Sequence, residues 1–77
     1  MSGRPVCDAE RAGLMEAFDE MRGTLNGRPA VVLGRLEDFP TVATLDGSGL
    51  AVEYSWPAIR RAVRRAKATG RPPCLST

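Results

Sequence analysis

Glycine and proline cut this chain into short segments, and that punctuation limits its fold more than any other feature. Asn26-Gly27-Arg28-Pro29, Phe39-Pro40, Asp46-Gly47-Ser48-Gly49, Trp56-Pro57 and Gly70-Arg71-Pro72-Pro73 each interrupt regular structure. Proline lacks an amide hydrogen, and glycine enters left-handed backbone freely. Within 77 residues these breaks leave room for two helices and three short strands. One small domain over 1–77 is expected, with an ordered core over about 8–70 and an extended C-terminal tail over 71–77.

The first helix is marked by Leu14, Phe18, Met21 and Leu25, one stripe of a 3.6-residue period that Met15 widens. Asp8 is the expected N-cap, and Glu10 follows in the first turn, where the helix dipole favours an acid. Gly23 or Asn26-Gly27 should stop the helix. Three strands then follow at Ala30–Leu36, Thr41–Leu45 and Leu50–Tyr54, joined by Glu37-Asp38-Phe39-Pro40 and by Asp46-Gly47-Ser48-Gly49. Connections this short require antiparallel neighbours, hence a meander.

A four-residue second loop would pair Leu45 with Leu50. That register puts Thr41, Ala43 and Leu45 on one face with Leu50, Val52 and Tyr54. With Arg35 on the other face, Ala30, Val32, Gly34 and Leu36 point inward, and Gly34 admits a helix close to the sheet. The second helix has the clearest start, Ser55 as N-cap and Pro57 in the first turn. Its apolar stripe is Ile59, Ala62, Val63 and Ala66, and Gly70 and Pro72 end it. The expected architecture is α+β, in the order α-β-β-β-α, with both helices packed on one face of a three-stranded antiparallel sheet. The helices should run roughly parallel.

The chain has only four aromatic residues, Phe18, Phe39, Tyr54 and Trp56, so aliphatic side chains must supply most of the core. Trp56, just before Pro57, is expected to pack over the sheet end rather than to stack on a base. The opposite sheet face would carry Val31, Leu33, Val42 and Ala51 beside Thr44 and Glu53. A small domain with such a face is expected to form a homodimer or an obligate complex.

Histidine is absent, which removes the usual zinc sites and the common neutral-pH general base. Cys7 and Cys74 lie far apart in sequence and are expected to be free thiols. The adjacent acids Asp19-Glu20 and Glu37-Asp38 read as solvated surface groups. Gly47-Ser48-Gly49 lacks the lysine and following helix of a phosphate loop. No metal, no cofactor and no enzymatic activity are expected. Met1 to Pro5 lack an apolar run, and no stretch is long and apolar enough for a membrane span, so a cytoplasmic protein is expected.

Charge is the remaining signal. Residues 1–54 carry five arginines against nine acids, a net of −4; residues 55–77 carry Arg60, Arg61, Arg64, Arg65, Lys67 and Arg71 and no acid. Like charges at 60/64 and 61/65 repel, and no acid is interleaved to form helical pairs. Arginine favours bidentate contact with phosphate. If the helix geometry continued, Arg60, Arg64, Lys67 and Arg71 would follow one line, flanked by Arg61 and Arg65. These six residues are the expected binding site for the phosphate backbone of DNA or RNA, in a small accessory or regulatory protein. The alternatives are an inhibitor or adaptor whose sheet face or basic helix meets an acidic protein surface, and internal pairing with Glu16, Asp19 and Glu20.

The element order resembles that of double-stranded-RNA-binding domains, and Arg60-Arg61-Ala62-Val63-Arg64 is similar to the basic start of their second helix. The family's Gly-Pro-x-His loop is replaced here by Glu37-Asp38-Phe39-Pro40. The resemblance therefore implies shared topology rather than membership.

Overall fold

The computed structural model describes residues 6–34, 38–47 and 51–77. Helix α1 spans Asp8–Glu20, strand β1 Thr24–Leu25, β2 Arg28–Leu33, β3 Thr41–Thr44, β4 Val52–Glu53, helix α2 Trp56–Thr69 and β5 Cys74–Leu75. The strands form one mixed sheet in the order β4-β3-β2-β1-β5, in which β5 is parallel to β1 and the other pairs are antiparallel. The α+β class holds. The three-stranded meander does not, because β1 and β5 extend it, and β5 follows α2. The likeness to α-β-β-β-α domains goes with it, as does the strand count behind the expected parallel helices.

The first addition has a local cause. Helix α1 stops earlier than its apolar stripe suggested. Arg22 takes the left-handed conformation at φ 57°, its amide bonds Asp19 O at 3.1 Å, and the Gly23 amide bonds Phe18 O at 2.9 Å. This paired closure satisfies the terminal carbonyls of the helix. Leu25 is therefore a strand residue. Asn26-Gly27 does not end a helix but turns a hairpin: both have positive φ, 54° and 82°, and Leu25 pairs with Arg28 across them. A two-residue loop with two left-handed positions matches the natural twist of the strands. At the helix start Cys7, not Asp8, is the N-cap, and it makes no side-chain cap bond.

Helix α2 follows its punctuation. The Ser55 hydroxyl accepts from the Ala58 amide at 3.3 Å, and Gly70 closes the helix in left-handed backbone at φ 70°. Pro72 and Pro73 then turn the chain back toward the sheet. Thr24 N donates to Pro73 O at 2.9 Å and Asn26 N to Leu75 O at 2.8 Å. The segment expected to be a tail is an edge strand, and its Leu75 and Pro73 are buried.

The core joins Val6, Leu14, Phe18, Leu25, Ala30, Val32, Val42, Trp56, Ile59, Val63 and Leu75. Two of the scarce aromatics, Trp56 and Phe18, are its largest fully buried members. Trp56 is 1% exposed, so its role is packing. Gly34 marks where the layers meet, half-buried between the helices: a Cβ there would lie 2.5 Å from the Trp56 ring and 2.6 Å from Met15 Sδ. Contacts from α1 and α2 at one strand position place both helices on the same face of the sheet.

The register between β3 and β4 differs by one residue from expectation. Val42 pairs with Val32 on one side and Val52 on the other, and it is completely buried. A one-residue slip exchanges the two faces of a strand. Val42 and Thr44 therefore face inward with Ala30, Val32 and Val52. Val31, Leu33, Thr41, Ala43 and Glu53 form the opposite face, where Leu33 is 56% exposed. The loop length behind the expected register falls partly on Ser48, Gly49 and Leu50, which lie outside the described residues. Arg35, Leu36, Glu37 and the Met1–Pro5 segment lie outside them too. Cys7 and Cys74 are both free thiols, as expected, and both are exposed.

The two sheet edges are tied together. Tyr54, in register with Pro40 just beyond β4, donates its hydroxyl to Ser76 O, just beyond β5, at 2.7 Å. Four strand spacings of about 4.8 Å would hold the edges of a flat sheet about 19 Å apart, more than a tyrosine can bridge. The sheet therefore curls toward the helices.

Candidate nucleic-acid interface

Helix α2 buries Trp56, Ile59, Val63 and Ala66. Its cations consequently fall on two flanks rather than on one face. Arg60, Arg64 and Lys67 lie on the flank toward α1, and Arg61 and Arg65 on the flank toward β5.

Arg60 is engaged within the protein. Its Nε donates to Glu10 Oε2 at 2.7 Å and its Nη2 to Glu10 Oε1 at 3.2 Å. The two side chains are 16% and 27% exposed. Arg60 thus joins the helices by a bidentate pair, the strongest form of arginine–carboxylate contact. Internal pairing was the right idea for this residue, but the partner is Glu10. Glu16, Asp19 and Glu20 are exposed to solvent.

Arg61, Arg64, Arg65, Lys67 and Arg71 are all exposed, and among the described residues none has a carboxylate within 4 Å. The paired arginines lie elsewhere. Arg11 meets Asp8 at 3.6 Å and Asp38 at 3.1 Å, and Arg28 meets Asp46 at 3.1 Å. Arg11 and Arg28 are thus ion-paired, whereas α2 and the segment after it carry five exposed cations with no carboxylate partner among the described residues.

Arg71 does not continue the Arg60–Arg64–Lys67 line. Helix α2 ends at Thr69, and the left-handed turn at Gly70 carries Arg71 onto the returning segment. It there becomes part of a groove of about 580 Å³, walled on one side by Ala58, Arg61, Ala62, Arg65, Ala66 and Thr69. The other wall is Arg71 to Ser76, and Tyr54 lies at the end where Ser76 arrives beside the helix start. Arg61 and Arg65 face Arg71 across this groove. Its lining contains no acid. The Cys74 thiol, also in the lining, donates to Pro72 O at 3.3 Å. The burial that holds Tyr54 here pushes its phenol above its usual pKa.

No family model matches the chain, and no curated protein or solved structure does. Function is therefore read from local chemistry. A second hollow, of about 230 Å³, lies between Val6, Arg11, Asp38, Phe39, Ser55, Trp56 and Pro57 and is smaller and less charged. Among the described residues no three His, Cys, Asp or Glu side chains come together as a metal site would require, and no helix is long and apolar enough to cross a membrane. The groove itself escaped the sequence reading. Its only forewarning was Gly70-Arg71-Pro72-Pro73, which marks a reversal but not where the chain goes next.

Proposed function

We propose that this chain is a small, non-enzymatic nucleic-acid-binding accessory or regulatory protein, which holds phosphates through Arg61, Arg64, Arg65, Lys67 and Arg71. The supporting observation is that these five exposed cations, grouped on α2 and the segment after it, have no carboxylate partner among the described residues, whereas Arg60 on the same helix is ion-paired. Cations left without internal partners retain their full capacity to displace counterions from a polyanion. Most contacts go to phosphate, so the protein reads little sequence by itself.

The test is fluorescence anisotropy with labelled oligonucleotides over a salt series. If about four cations meet phosphates, log K against log salt on duplex DNA has a slope of about −3 to −4. Arg61→Gln, Arg64→Gln and Arg65→Gln together should abolish binding and leave the far-UV spectrum intact, since none of the three is buried. No binding by the wild type at low salt overturns the reading.

A second reading rests on the exposed Leu33 beside Val31, Thr41 and Ala43. An apolar sheet face of this kind suits a protein partner or a second copy of the chain. Sedimentation at increasing concentration distinguishes a homodimer from a monomer awaiting a different partner.

A further inference from the structure

We infer, on the basis of the nucleic-acid reading above, that the groove between α2 and residues 71–76 takes an unpaired nucleotide. Its base would lie on the apolar lining and its phosphates would meet Arg61, Arg65 and Arg71. Three observations support this. First, the cations stand on both walls: Arg61 and Arg65 come from the helix and Arg71 from the returning segment. A convex basic helix suits the outside of a duplex, whereas cations facing one another across a trough suit a single strand lying within it.

Second, the lining between those cations is apolar. Ala58, Ala62 and Pro72 give it half-buried or exposed apolar surface, over buried Ala66, Pro73 and Leu75. A site for phosphate alone has no use for such a surface. A nucleotide, with a flat base joined to an anion, uses both parts. The volume, about 580 Å³, lies in the range of sites that enclose small ligands, roughly 300–1,000 Å³. Bases stacked within a duplex cannot enter a trough of this kind.

Third, the Tyr54 hydroxyl is committed to Ser76 O. The phenol is held in place, and the half-buried ring, which packs against the core on one side, lines the end of the groove. Aromatic rings accept any base on their faces, which gives affinity without sequence preference.

The experiment compares one labelled oligonucleotide as a single strand and as a duplex, at the same salt, on the full chain. The single strand should bind about tenfold more tightly. Ala62→Leu and Ala58→Leu each place bulk in the trough while keeping all of its cations. Either variant, once its thermal melt shows that it is folded, should reduce single-strand affinity to the duplex level and leave duplex affinity unchanged. Adenosine monophosphate should displace the strand at concentrations where inorganic phosphate does not. Displacement by adenosine monophosphate supports the groove assignment, and displacement only by longer oligonucleotides overturns it.

Equal affinity for single strand and duplex, equal displacement by inorganic phosphate, or an unchanged ratio in both variants overturns the groove assignment and spares the nucleic-acid reading. Absence of binding to either oligonucleotide removes both.

Discussion

Glu10 grips Arg60 from the neighbouring helix through both carboxylate oxygens, at 2.7 and 3.2 Å. The pair is largely shielded from solvent, so it gains more than an exposed ion pair would. Arg60→Gln and Glu10→Gln should each lower stability by about 1–2 kcal/mol. In a double-mutant cycle the two losses should not add. Arg60→Gln should leave nucleic-acid affinity within about twofold of wild type, because this side chain is already engaged. Urea denaturation measures the first effect and anisotropy the second. A large loss of affinity in folded Arg60→Gln would return this residue to the binding surface.

Arg22 occupies a left-handed position, φ 57°, at the close of α1. A side chain there is strained by about 1–2 kcal/mol, offset in part when glycine enlarges the unfolded ensemble. Arg22→Gly should therefore stabilise the protein by about 0.5–1 kcal/mol, raising the melting temperature by roughly 2–8 °C. Calorimetry of the single variant is sufficient. An unchanged or lower transition temperature would mean that the arginine makes contacts outweighing its backbone strain.

Leu75 lies in the core although it belongs to the two-residue edge strand β5. Leu75→Ala should cost about 2–3 kcal/mol, as expected for a buried leucine at a site able to relax. Truncation after Arg71 should be worse, because it also removes the hydrogen bonds from Thr24 and Asn26. Amide exchange should show Thr24 and Asn26 losing protection in both variants. Near-wild-type stability of the truncated chain would reduce β5 to a surface appendage.

Tyr54 gives a pH signature. Its phenol is held above the ordinary value by burial. The folded state therefore binds the proton more tightly than the unfolded state does. This contribution is complete below the unfolded value, about 10, and is lost as pH rises from there through the folded value. Ionisation also removes the proton donated to Ser76 O. Melting temperature should decline above about pH 10 in the wild type, and less steeply in Tyr54→Phe. Parallel curves for the two proteins would show that other groups cause the alkaline loss.

Much of this fold was legible where one residue type has one local consequence. Ser55 and Pro57 start α2 and Gly70 ends it, because caps and stops depend on residues adjacent in sequence. Asn26-Gly27 was seen but misassigned. Left-handed residues close helices and turn hairpins equally well, and only the early stop at Arg22 decides between the two. The two residues of β5 are too few for any periodicity to reveal, and their pairing with β1 depends on contacts distant in sequence. Val42 was placed outside because a loop length was assumed, and a single residue reverses a strand's faces. Within the candidate site, the basic character of α2 was plain in Arg61, Arg64, Arg65 and Lys67. The engagement of Arg60 by Glu10 was not, since it requires knowing which turns of the two helices are adjacent.

The pairing of β5 with β1 also has a consequence for how the chain is made. A ribosome releases α1, β1 and the strands that follow long before Cys74 and Leu75 emerge, yet β1 lies between β2 and β5 in the finished sheet. Until then β1 has a bare edge and Leu25 lacks a neighbour that helps to cover it. The nascent chain can form its hairpin and helices early, but contacts this far apart in sequence form late and slowly. Completion of the fold is thus deferred until Cys74 and Leu75 have been made, when the groove acquires its second wall and Arg71 its place in it.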